Sequence, residues 1–227
     1  MLSGCLRLFH LDAPFRRDML AVVNLADDQS SLATPHRKVK LFPLIRADWD
    51  HKRRWLQRES GWKSCLYLIF SEGSLAHLLY RAMSFCQAHH LKLLSAIIYR
   101  FNGLFCKTII GREAQFGPGL VMLHGFGIVI NSEVKAGEKI VLEHMITIGA
   151  ERRQCPRLGN NIFIGAGAKV IGNIKIGNDV RIGANAVVVK DVPDGATVVG
   201  VPAQVVKIYG QRVGSVPSSI GEGQEPP

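Results

Sequence analysis

The stretch LGNNIFIGAGAKVIGNIKIGNDVRIGANAVVV, residues 158–189, places an aliphatic residue at every sixth position: Leu158, Ile164, Val170, Ile176, Ile182 and Val188. A strand repeats every second residue and a helix every 3.6, so neither explains the pattern. Followed backwards, the series runs through Ile146, Ile140, Val134, Ile128, Met122 and Phe116 to Ile110, and Arg152 is its one polar member. The next position is often Gly (111, 117, 159, 165, 177, 183), and the position two before is often small (Ala114, Ser132, Ala150, Ala168, Ala186). A six-residue period belongs to a hexapeptide β-helix, where each hexad makes one flat face and three hexads close a triangular coil. The apolar residue points into the prism and Gly fits the corner, where a side chain would crowd the turn. The fold class expected is therefore α+β, with a parallel hexapeptide β-helix over 110–207 preceded by an α-helical cap.

The rest of the chain frames that solenoid. Residues 1–42 lack steady periodicity and contain the polar run DDQSSLATPHRK, which reads as a loosely ordered arm. Residues 43–109 read as a helical cap. LIRADWDHKRRWLQRES puts Ile45, Trp49 and Leu56 on one face, and further helices are expected over 74–88 and 91–107. The Gly, Ser and Pro content of 208–227 reads as a disordered tail. A solenoid of four to five coils leaves flat faces and open ends uncovered, so a homotrimer of prisms is expected.

Composition narrows the function classes. The chain has 227 residues and a formal charge of +10. Its basic residues are spread out and no zinc-finger, RNA-binding or zipper pattern is present, so nucleic acid is not expected as a partner. A phosphate-bearing cofactor accounts for the charge equally well, and a membrane-surface contact stays open. Five widely spaced cysteines, with no C-x-x-C pair, argue against a disulfide framework or structural zinc and point to a reducing, cytoplasmic setting. The N-terminus has no sustained apolar core of a secretory signal, and no uninterrupted apolar run suits a spanning helix.

Within the prism, residues 123–157 depart from the repeat. They hold its two histidines, His124 and His144, and the break ERRQCPR (151–157), read as an irregular face or a loop pushed outward. His124 is the candidate general base, because imidazole titrates near neutrality and can take a proton from an alcohol. Gly125 and Gly127, flanking Phe126, are expected to leave room for a substrate. His144 lies twenty residues on, one eighteen-residue coil plus two positions, so the rings are expected about 8 Å apart along one groove. Glu143 is expected to point to the opposite side. No metal is expected: a zinc carbonic anhydrase on this solenoid needs three imidazoles, and the prism offers two.

PGLVMLHGFGIVINSE, VLEHMITIG and LGNNIFIGAGAKVIGNIKIGNDVRIGANAVVVKDVPDGATVVGVPAQVV together resemble the serine acetyltransferase branch of the left-handed β-helix acyltransferases. The resemblance spans about 45–207, since LIRADWD and the helices after it resemble that branch's cap. It implies acetyl transfer from acetyl-CoA to a small hydroxyl acceptor at sites between subunits, with His124 as base. It also implies a pantetheine arm along Gly165, Ala166, Gly183 and Ala184, with Lys190 and Lys207 toward the CoA phosphates. Three positions depart from the family's pattern. The carboxylate that orients the base corresponds to Ile109, the residue before the base is Leu123 rather than Asp, and the acceptor-binding His before Pro is Cys155. H-G-F-G-I-V-I-N also resembles O-acetyltransferases of surface and exopolysaccharide synthesis. The expectation is thus a sugar acceptor first, serine O-acetylation of cysteine biosynthesis second, and a non-catalytic trimeric scaffold third.

Overall fold

A computed structural model describes residues 40–59 and 61–213. The expected arm, through residue 39, and the tail from 214 onward lie outside the described residues. Among the described residues four helices come first: α1 (Leu41–Trp55), α2 (Trp62–Phe70), α3 (Ser74–Ala88) and α4 (Lys92–Phe105). A three-sided parallel β-solenoid of about four turns follows.

One face of the solenoid stacks β1 (Ile109–Ile110), β4 (Val129–Ile130), β7 (Thr147–Gly149), β10 (Lys169–Ile171) and β13 (Val187–Val188). A second stacks β2 (Gln115–Phe116), β5 (Lys135–Ala136), β8 (Arg157–Leu158) and β11 (Lys175–Ile176). The third stacks β3 (Val121–Met122), β6 (Val141–Leu142), β9 (Phe163–Ile164), β12 (Arg181–Ile182) and β14 (Ala196–Val199). β15 (Gln204–Ile208) and β16 (Gln211–Arg212) extend this third face as antiparallel strands, so the boundary expected at 207 falls inside a hairpin. Two- and three-residue strands suffice because each N–H and C=O pairs with the rung above or below, and the aliphatic column inside is dry.

The register explains both the periodicity and its one break. Strand partners lie eighteen residues apart in the regular coils, as in Phe163↔Arg181 and Lys169↔Val187. They lie twenty apart in the first coil, as in Val121↔Val141, and twenty-two apart across the next, as in Val141↔Phe163. Two residues are therefore added at the His124–Gly127 corner and four at 151–154, and together they restore the hexad phase by Leu158. Between these additions the in-pointing strand residues are Ile130, Ala136, Leu142 and Ile148. Ile128, Val134, Ile140 and Ile146 are buried as well, at the position two before them. The break at 151–157 is a tight outward turn: Glu151 and Gln154 exchange backbone bonds around Arg152 and Arg153, both with positive φ (48° and 67°).

Where a glycine follows an in-pointing residue, as at Gly159, Gly165, Gly177 and Gly183, it is set by rung spacing rather than by left-handed φ. A Cβ on Gly165 would lie 2.7 Å from the backbone nitrogen of Ala184 on the next coil.

Ala76, Tyr80 and Met83 of α3 join the apolar core of the prism, but α1 buries polar side chains against it, not the apolar face expected of that helix. Ile45, Trp49 and Leu56 are only half-buried, whereas Asp48, His51 and Lys52 are the buried residues of α1. The reason lies across the interface, where the prism presents open backbone groups. The Asp48 carboxylate accepts from the N–H groups of Gly119 (2.6 Å) and Leu120 (2.8 Å), from Arg81 Nε (2.7 Å) and Nη2 (3.0 Å), and from His77 Nε2 (2.7 Å). Arg81 in turn donates to the carbonyls of Phe116 and Gly117, and His51 Nδ1 to that of Gly119. Burial alone would raise the Asp48 carboxyl, but the His77 hydrogen bond and the Arg81 guanidinium outweigh it and hold the carboxyl below its ordinary range. Burial lowers the His77 imidazole in spite of Asp48, so it is neutral and donates Nε2–H.

Candidate acyl-transfer edge

Two residues beyond the in-pointing positions of the third face, the register stacks His124, His144, Ala166 and Ala184 in one line along the edge between the third and first faces. Backbone bonds tie the line together: Gly167 N–H donates to His144 O and Asn185 N–H to Ala166 O. Gly127, Met145, Gly167 and Asn185 turn this edge with positive φ (68°, 59°, 73° and 56°). At about 4.8 Å per rung the line from His124 to Ala184 is about 14 Å long. Gly165 and Gly183 stand beside the two alanines. Lys190 lies past Val188, one face away on the next edge, and Lys207 is exposed on β15.

Because the coil here has twenty residues, His124 and His144 are stacked directly instead of being offset by two positions. Their ring centroids are 5.6 Å apart, edge to face, which corrects the expected 8 Å. Glu143 also differs from expectation. Its carboxylate turns between the two rings, 3.8 Å from His124 Nε2 and 3.7 Å from His144 Nδ1. Those separations are too long for hydrogen bonds, so Nε2 of the half-exposed His124 ring is not bonded to Glu143.

Sequence reading missed Glu72, in the turn between α2 and α3. Its Oε2 accepts a 2.6 Å hydrogen bond from His124 Nδ1, across 52 residues. Gly125 meets the same turn: a Cβ there would lie 2.9 Å from Gly73 Cα and from Ala76 Cβ. The glycine expected to admit a substrate thus admits the cap. A sequence signal for Glu72 exists, since it is the one acidic residue between 60 and 112.

Cys155, at the base of the 151–154 turn, is a free thiol. Burial, followed by the nearby Glu133 carboxylate, pushes its thiol above the ordinary value, which disfavours the attacking thiolate. No cluster of three or more metal-ligating side chains occurs among the described residues. Among them, also, no helix is long and apolar enough to cross a membrane.

Known proteins carry the same architecture. The family described as bacterial transferase hexapeptide (six repeats) matches residues 156–190. A serine acetyltransferase of Synechocystis is 43% identical over 180 residues, covering 73% of this chain and 71% of that protein. One from Synechococcus elongatus is 35% identical over 178 residues, covering 76% and 72%. Among solved structures, soybean serine acetyltransferase complexed with serine is 29% identical with a TM-score of 0.66, covering 73% of this chain and 69% of that one. A serine acetyltransferase in complex with CoA is 25% identical with a TM-score of 0.67, covering 84% and 75%. These relatives lend nothing to the exopolysaccharide sub-branch that H-G-F-G-I-V-I-N resembles. Identity of this extent makes the chain an acyltransferase, and it belongs to the hexapeptide-repeat family together with the serine acetyltransferases named above.

Proposed function

We propose that the chain transfers acetyl from acetyl-CoA to the hydroxyl of L-serine, with His124 as general base. The observation that carries this reading is the 43% identity to a serine acetyltransferase over 180 residues. The serine-bound and CoA-bound neighbours support the acceptor and the donor respectively.

The chemistry follows from the edge. With Nδ1–H directed at Glu72, the His124 lone pair is on Nε2, on the side of Glu143. The acceptor hydroxyl binds there, and Nε2 takes its proton as the oxygen attacks the thioester carbonyl. The tetrahedral intermediate collapses with cleavage of the C–S bond. The proton passes from Nε2 to the departing thiolate, leaving an O-acetyl ester, CoA thiol and neutral His124. The Glu143 carboxylate suits the α-ammonium of an amino-acid acceptor, which supports serine over a neutral sugar.

The donor fits the same edge. Gly165 and Gly183 carry no side chain and Ala166 and Ala184 only a methyl, so an extended pantetheine arm can approach the backbone. Neither the Ala166 nor the Ala184 N–H donates to a carbonyl among the described residues, which leaves both free to bond the arm's amides. Lys190 and Lys207 serve as long-reaching cations for the CoA phosphates. Three copies are proposed, with the edge lining a groove between prisms. The exposed Phe126 and Met145 beside His124 support this, because a neighbouring prism would cover them.

His124→Ala tests the assignment. Turnover is expected to fall by roughly two to four orders of magnitude, the usual contribution of a positioned base, while CoA still binds. Unchanged turnover would overturn the role given to His124.

A further inference from the structure

We infer that Glu72, carried by the cap, is the positioning residue for His124 and stands in for the carboxylate missing at Ile109. The inference rests on the acetyl-transfer reading for its consequence, but its geometry is independent of the acceptor. Glu72 Oε2 lies 2.6 Å from His124 Nδ1. A carboxylate accepts only, so the neutral ring must hold its proton on Nδ1 and present a bare Nε2.

The Glu72 side chain is exposed, yet its backbone is held from several directions. Lys52 Nζ donates to the Glu72 carbonyl (2.9 Å) and to Ser74 Oγ (3.1 Å), and Ser71 Oγ meets Ser74 Oγ at 3.0 Å. Lys52 is buried there and its ammonium is lowered by burial to about 8. Below, the turn rests on the prism backbone without a side chain between. Gly73 has φ +77°, and a Cβ on it would lie 2.5 Å from Met122 O, just before the corner that holds His124. Gly73 and Gly125 thus allow a contact that no larger pair would permit, and it sets the reach from Glu72 to the imidazole. On the prism side the corner is held by Thr108 Oγ, which donates to Gly125 O at 2.7 Å.

Through this bond the cap becomes part of the active site. Glu72 fixes the ring's tautomer and orientation, and it stabilises the imidazolium formed when the acceptor's proton is taken. A detached cap would leave His124 on an intact prism without its partner.

The test uses the full chain with Glu72→Gln and Glu72→Ala, which should both fold because the side chain is exposed. Ring nitrogen shifts of ¹⁵N-labelled histidine, assigned with His124→Ala, report the tautomer without any acceptor. Wild type should show His124 protonated on Nδ1, and both variants should lose that preference. In turnover, kcat should fall about 10- to 100-fold, the usual range for a residue that orients another, with KM for acetyl-CoA changed less than about twofold. An unchanged His124 tautomer, or kcat within twofold of wild type, overturns the inference. If wild type releases no thiol with serine, the acetyl-transfer reading fails, and the ring measurement alone still decides the Glu72 contact.

Discussion

Replacing Asp48 with Ala should separate the cap from the prism, and the size of the effect can be worked from its contacts. Five donors converge on this one carboxylate, two of them prism backbone N–H groups about seventy residues away in sequence. Its removal leaves the Arg81 guanidinium, 3% exposed, with only two carbonyl acceptors. Breaking a buried ion pair from one side costs about 3–5 kcal/mol. The Gly119 and Leu120 N–H groups lose their acceptor too, but groups in one network do not add independently, so about 3–5 kcal/mol is retained as the total. With a urea slope of about 1–3 kcal/mol/M, the unfolding midpoint of the cap should move down by roughly 2 M. The assay is specific by position, because the three tryptophans, Trp49, Trp55 and Trp62, all lie in the cap segment. Their fluorescence follows the cap, while far-UV circular dichroism also records the prism. The fluorescence transition should therefore move well ahead of the solenoid's. A fluorescence midpoint equivalent to less than about 1 kcal/mol of change would refute the view that Asp48 fastens the cap.

Two further predictions follow from the same interface. Gly73→Ala puts a Cβ 2.5 Å from Met122 O at φ +77°, so it should lower kcat at least about tenfold by displacing Glu72. Gly103→Ala in α4, whose Cβ would meet nothing nearer than 3.8 Å, should leave kcat unchanged and stabilise by about 0.5–1 kcal/mol; equal kcat in the two variants would contradict the Glu72 geometry. Stability should also fall with acid in two stages. His77 is lowered in the fold, facing Asp48, Arg81 and Lys52, so its contribution is complete above about pH 6.5 and is lost as pH drops below that value. Asp48 is lowered too, so its contribution persists until pH falls below about 3.9 and is then lost. A melting temperature that is constant from pH 7 to 5 would contradict the neutral, buried His77.

The solenoid could be read from the hexad series because every coil repeats the same steric demand for an aliphatic residue inside. Its internal slip could not, since the two residues added at His124–Gly127 and the four at 151–154 sum to one full hexad. Ile128 and its successors kept the phase of the series while moving to the neighbouring buried position. The slip is also why the two histidines stack directly and why Glu143 turns between them. The fastening of the cap was hidden for a different reason. Helical periodicity weighs apolar faces, whereas α1 buries Asp48, His51 and Lys52 against backbone groups visible only once the prism is built. Glu72 reaches His124 across 52 residues from a three-residue turn, a contact to which no local pattern points. Only the acid-free stretch around it marked Glu72 as unusual.

The most direct test of the account is thiol release from acetyl-CoA by the purified full chain, with L-serine in one arm and a panel of sugars and nucleotide sugars in the other. The account predicts release with serine well above background hydrolysis, slowed by roughly two to four orders of magnitude in His124→Ala. Release with a sugar and none with serine would contradict the proposed acceptor.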